Sequence, residues 1–139
     1  MFDRIDHIGV AVEAIEPALE LWRDRLELDV GHREISQEQG VEAVLLDLGS
    51  DHIELMAPLG ADTPVGKFLA KRGPGLHHVA YAVPDIDATL EALDRAGLRL
   101  IDRSARAGLR ESRVAFVHPK AIGGVLIEVV EPPAGQEDH

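Results

Sequence analysis

Asp6-His7-Ile8-Gly9-Val10-Ala11-Val12 and His77-His78-Val79-Ala80-Tyr81-Ala82-Val83 are the two stretches on which the reading of this chain turns. Laid over each other with an offset of 71 residues (78 minus 7), they put His7 on His78. The same offset carries Ile15, Leu19 and Trp22 onto Ile86, Leu90 and Leu93. Self-similarity at a fixed period predicts two like modules, neither of which buries a core alone.

Both stretches read as strands. In the first, Ile8, Val10 and Val12 share one side by the period of two, and His7, Gly9 and Ala11 share the other. Small neighbours leave room there around the imidazole. Each strand precedes a predicted helix. Over Glu13–Leu26 the residues Ile15, Leu19, Trp22 and Leu26 form one apolar stripe, with Pro17 near the start. Over Ile86–Ala96 the helix is capped by Asp85 and ended by Gly97.

The rest of each half predicts strands. In the first half these are a short one over Glu27–His32, then a polar stretch Arg33–Gly40, then Val41–Leu48 and His52–Met56 about a turn at Gly49-Ser50-Asp51. Thr63-Pro64 predicts the cap and first residue of a helix over Val65–Lys71. In the second half Leu98–Ile101 reads as a short strand, Asp102–Glu111 as an arginine-rich loop, and Val114–Val117 with Val125–Val130 as a strand pair. Each half is therefore β-α-β-β-β. The expected class is α+β: two paired βαβββ modules forming a curved, barrel-like mixed sheet around a metal site, helices outside. Residues 1–139 read as a single domain, with module one at about 1–72, module two at about 73–132, and a polar tail over 133–139.

The second feature that repeats is a carboxylate. His52-Ile53-Glu54-Leu55-Met56 matches Leu126-Ile127-Glu128-Val129-Val130. Each half thus supplies a histidine on its first strand and a glutamate on its last. Buried among apolar neighbours, a carboxylate is costly unless something pairs with it. A strand histidine is also compatible with a packed structural role, and a glutamate near a strand end with solvation. The recurrence of the pair at matching places raises the alternative, that His7, Glu54, His78 and Glu128 bind one metal. Two imidazoles and two carboxylates suit a divalent cation of the first transition row, and suit zinc less clearly, because four protein ligands close a tetrahedral site. His77 falls outside the repeat and faces the other way. His52 shares the parity of Glu54 without a partner in the second half. His32 and His139 read as surface residues.

The totals set outer bounds. Net charge is −11, which disfavours nucleic acid and anionic membrane as partners. There is no cysteine, so disulfides and thiolate metal sites are excluded. No apolar run approaches the roughly 20 residues that span a bilayer. The expected location is cytoplasmic.

Beyond these readings, the chain resembles the vicinal-oxygen-chelate superfamily and, within it, the methylmalonyl-CoA epimerase family. The resemblance rests on the two histidine strands, which much of the superfamily shares. It rests also on Glu38-Gln39-Gly40-Val41, Glu54-Leu55-Met56-Ala57-Pro58-Leu59-Gly60, and Gly75-Leu76-His77-His78. Most particular to the epimerases is Phe116-Val117-His118-Pro119-Lys120, with Gly123-Gly124-Val125-Leu126-Ile127-Glu128. The resemblance implies metal ligands His7, His78 and Glu128, with Glu54 at a fourth position that holds Gln or Glu in the family. It implies cobalt or manganese, with nickel, zinc and magnesium as alternatives, an acyl-CoA substrate and a homodimer. The implied reaction interconverts (2R)- and (2S)-methylmalonyl-CoA through an enolate, with Glu128 as a catalytic acid/base.

Inversion needs an acid/base group on each face of the enolate plane. Some members carry a second glutamate two residues after the Val of Gln-Gly-Val. Here that position is Ala43, and the adjacent Glu42 has the opposite parity. His118 and Lys120 are the expected substrate-binding residues and, with a metal-bound water, alternatives for the second acid/base. The loop before Val114 departs from the family's glycine-rich run. Its Arg103, Arg106 and Arg110, with nearby Arg113, read either as contacts to CoA phosphates or as a solvated charged face. Two other readings compete: a glyoxalase-type lyase or ring-cleaving dioxygenase of the same superfamily, and a non-catalytic small-molecule-binding module.

Overall fold

The computed structural model describes residues 1–134. Its elements are β1 (Arg4–Ala11), α1 (Ile15–Leu19), β2 (Asp29–Ser36), β3 (Val41–Leu48), β4 (Asp51–Pro58), α2 (Pro64–Arg72), β5 (Gly75–Ala82), α3 (Ile86–Arg95), β6 (Arg106–Ala107), β7 (Arg113–Val117) and β8 (Ile127–Glu131). The class is α+β with the β-α-β-β-β order in each half. Two compact units emerge. One is His7–His77, and the other joins Met1–Asp6 to the residues from His78 onward.

In the His7–His77 unit, β1 pairs parallel to β4, with Gly9 opposite Glu54 and Ala11 opposite Met56. β4 pairs antiparallel to β3, and β3 to β2. One face carries Val44, Leu46, Leu55 and Ala57, and onto it α1 packs Ile15 and Leu19. Leu46 and Leu55 are fully buried there, so cutting either back opens a cavity. Leu55→Ala is expected to lower stability by about 2–5 kcal/mol. Chemical denaturation should report this as a lower midpoint at an unchanged slope.

The helix differs from its predicted stripe. After Leu19 it continues as a π-helix over Glu20–Arg25. The wider turn rotates Leu26 off the apolar face, leaving it 52% exposed, and Leu28 packs on the core in its place. Glu27 ends the segment in the left-handed region at φ 62°. The second difference is β2, which extends through Ser36 where a polar stretch was expected after His32. Thr63 caps α2 as predicted, accepting from the Gly66 amide at 3.1 Å.

In the other unit, β5 pairs parallel to β8, with Ala80 opposite Glu128, and β8 pairs antiparallel to β7. α3, capped by Asp85 through the Ala88 amide at 3.1 Å, sets Ile86 and Leu90 against Ala115 and Val129. Leu98–Ile101 is not a strand. Leu100 makes a single bridge to Val117, and its side chain packs under α3 with Leu98. The strand in that place is β6, paired to β7. The first residues of the chain belong to this unit. The Asp3 amide donates to the Ala82 carbonyl at 2.8 Å, and the Phe2 ring stacks on Tyr81 at 4.7 Å.

Candidate functional site

Strand alternation delivers one histidine and one glutamate to the same sheet face in each unit. In the His7–His77 unit that face is opposite α1. It carries His7, Gly9 and Ala11 from β1, Val41, Ala43 and Leu45 from β3, and Glu54 and Met56 from β4, all of them buried. The glycine and the alanines leave volume over the sheet. His7 Nε2 lies 3.2 Å from Glu54 Oε1, with side-chain exposures of 8% and 4%.

The second unit repeats this arrangement. His78 Nε2 lies 3.2 Å from Glu128 Oε1, at 1% and 4% exposure. The faces again agree with the register, since Ala80 stands opposite Glu128 and His78 is two residues before Ala80. Phe116 meets the His78 ring edge-on at 5.6 Å and limits its rotation. The sequence-predicted ligands therefore sit in two like His–Glu pairs, one per unit.

The donor chemistry fits a divalent cation. Each pair offers one imidazole nitrogen and one carboxylate, buried where an isolated charge would be heavily penalised. Imidazole and carboxylate together are the ligand set of first-row divalent metals.

Other predicted residues land elsewhere. His52 shares the Glu54 face by parity but is engaged two residues away, with Nδ1 3.0 Å from Asp47 Oδ1. His77 faces away from His78 and meets the Phe68 ring edge-on at 4.8 Å. Glu42 projects to the opposite face, where Arg33 holds it at 2.9 Å. His118 caps a 3₁₀ turn over Pro119–Ile122, its Nδ1 accepting from the Lys120 amide at 3.1 Å. Partial burial, then Arg99 and Lys120, push the His118 imidazole below its usual range. Lys120 is exposed. His139 lies outside the described residues.

The four arginines of the second-half loop all have carboxylate partners. Arg113 forms a two-pronged contact with Asp87 at 3.0 and 3.1 Å. Arg103 lies 3.6 Å from Asp94, Arg106 lies 3.7 Å from Asp102, and Arg110 lies 3.9 Å from the buried Asp6. Arg110 and Glu111 hold φ of 55° and 60°, a backbone that favours glycine. The loop thus keeps a glycine-like course without the glycines.

The sequence pattern does not mark Glu34. With β2 running to Ser36, His32, Glu34 and Ser36 turn to the Glu54 face, while Arg33 and Ile35 are exposed on the other. Their register sets Glu34 directly opposite Ala43 and His32 opposite Leu45. The signal available was parity, had the strand been extended by four residues.

The sequence pattern described as the Glyoxalase/Bleomycin resistance protein/Dioxygenase superfamily matches residues 6–116. The ethylmalonyl-CoA/methylmalonyl-CoA epimerase of Cereibacter sphaeroides is 34% identical over 131 residues, covering 93% of this chain and 98% of that protein. Among solved structures, methylmalonyl-CoA epimerase from Mycobacterium tuberculosis is 43% identical, covers 94% of this chain and 89% of its own, and superposes with a TM-score of 0.90. A methylmalonyl-CoA epimerase in complex with methylmalonyl-CoA and NH4+ is 36% identical, covering 96% of this chain and 97% of that one at a TM-score of 0.93.

Proposed function

The chain belongs to the Glyoxalase/Bleomycin resistance protein/Dioxygenase superfamily, and from that premise we propose that it is an epimerase interconverting (2R)- and (2S)-methylmalonyl-CoA. The observation that carries the reading is the buried His–Glu pair that recurs at matching places in both halves. Likeness to named epimerases over nearly the full chain supports the substrate class.

On this reading the two units belong to a single domain. His7, Glu54, His78 and Glu128 hold one divalent cation, cobalt or manganese before nickel, zinc or magnesium. When bound, the cation supplies positive charge beside the thioester oxygen, where negative charge develops as the α-proton leaves.

The chain's own residues do the rest. His7 and His78 present their Nε2 atoms, fixed on strands rather than loops. Glu54 neutralises charge and holds its oxygen in place through the pairing of β1 with β4. Glu128 has two carboxylate oxygens: one serves as a ligand, and the other takes or returns the α-proton on one face of the substrate. His118 and Lys120 bind the acyl-CoA from the 3₁₀ turn between β7 and β8.

The same reading makes the protein a cytoplasmic homodimer. No helix among the described residues is long and apolar enough to cross a membrane.

The test is solvent exchange. Protein loaded with cobalt or manganese, given (2S)-methylmalonyl-CoA in heavy water, is expected to incorporate deuterium at the α-carbon and form the 2R epimer. Absence of both exchange and inversion would sink the epimerase reading.

A further inference from the structure

We propose that Glu34 is the second proton-transfer group of the reaction, the counterpart of Glu128; the proposal rests on the epimerase reading above. Inversion at a carbon acid requires a proton to leave from one face and return to the other. Within the His7–His77 unit, the titratable side chains on the Glu54 face that are not proposed ligands are Asp29, His32, Glu34, Asp47 and His52, and Asp29 stands exposed at the far end of β2, opposite Asp47. Asp47 and His52 bind each other. Glu42, the other carboxylate near position 43, lies on the wrong face and is held by Arg33.

Glu34 remains, and its placement is specific. It stands directly across the β2–β3 ladder from Ala43, in the row that continues to Met56 on β4 and Ala11 on β1. Cβ atoms of such opposed residues lie about 4.5–5.5 Å apart, so a carboxylate rooted at 34 reaches the space that a longer residue at 43 would fill. Ala43 is buried and fills none of it. His32, two residues before, holds Glu34 Oε1 at 2.7 Å from its Nε2 and so orients the carboxylate. Both side chains are about one-third exposed, open enough for exchange with solvent and substrate. The equivalent place in the other unit, opposite Val114, holds Arg106, a cation that cannot serve as a base.

The proton balance is simple. Glu34, ionised, takes the α-proton; the C–H electron pair moves into the enolate; protonated Glu128 delivers its proton to the other face, restoring the C–H bond with inverted configuration. In the reverse direction the two exchange roles.

Glu34→Gln preserves size and the contact to His32 while removing the base. In heavy water, with each epimer supplied separately, the variant is expected to lose at least about 100-fold in epimerisation, since general acid–base groups contribute 10²–10⁴-fold. One epimer, the one whose α-proton faces Glu128, should still exchange deuterium without inverting. A smaller loss, or loss of exchange from both epimers together, overturns the proposal. If the wild-type protein itself neither exchanges nor inverts methylmalonyl-CoA, it is the epimerase reading that falls, and this inference with it.

Discussion

Glu128→Gln is expected to reduce epimerisation by about 10²–10⁴-fold, the range for losing a positioned acid/base group. The substitution keeps the shape of a side chain that is 3% exposed and paired with His78, so packing changes little. What it removes is the charge proposed to accept the α-proton and to draw the cation. Glu54→Gln makes the contrast. That residue has the same burial and the same distance to its histidine, yet its proposed role is to hold and neutralise. Its loss should cost about 10–100-fold, the smaller effect typical of groups that tune a metal site. Steady-state rates with a readout of epimer composition, alongside metal content for each variant, separate the two. Equal losses from both glutamates would remove Glu128 from the proton-transfer role and leave it a ligand only.

Removing the metal is expected to abolish turnover and also to lower the melting temperature. Glu54 and Glu128 each bring a carboxylate into a dry setting, and a divalent cation offsets the desolvation that results. A metal present at 100 times its dissociation constant stabilises the folded state by about 2.7 kcal/mol. For a chain of this length that corresponds to a shift on the order of 10 °C. Thermal melts with chelator, then with added cobalt or manganese, give a readout independent of catalysis. A melting temperature indifferent to both chelator and metal would count against a shared metal site, whatever the activity.

Much of the site was legible because strand parity acts on every residue alike. His7, His78, Glu54 and Glu128 were placed by the repeat and by alternation, and those two constraints also turned His77 and Glu42 away. The fold was less legible where one face of an element meets something other than apolar core. β2 carries Arg33 and Ile35 outward and His32 and Glu34 inward, so no hydrophobic alternation marked it past His32. Leu98 and Leu100 produced the reverse error. They are apolar because they cover Leu93 and Val117, and that pattern imitates a strand. The π-helix had no advance signal in the spacing of Ile15, Leu19 and Trp22. Only the exposure of Leu26 reveals the widened turn.

The chain's opening residues bear on how it is made. Phe2, Asp3 and Asp6 find their partners at Tyr81, Ala82 and Arg110. They are synthesised ahead of those partners and are seated only once the partners have followed. At about 5–20 residues per second that interval is on the order of ten seconds. During it the nascent segment is held by nothing it will later bind, and its apolar Phe2 and Ile5 are open to chaperones or to another copy. An extension fused ahead of Met1 would thus burden the unit that holds Tyr81, Ala82 and Arg110.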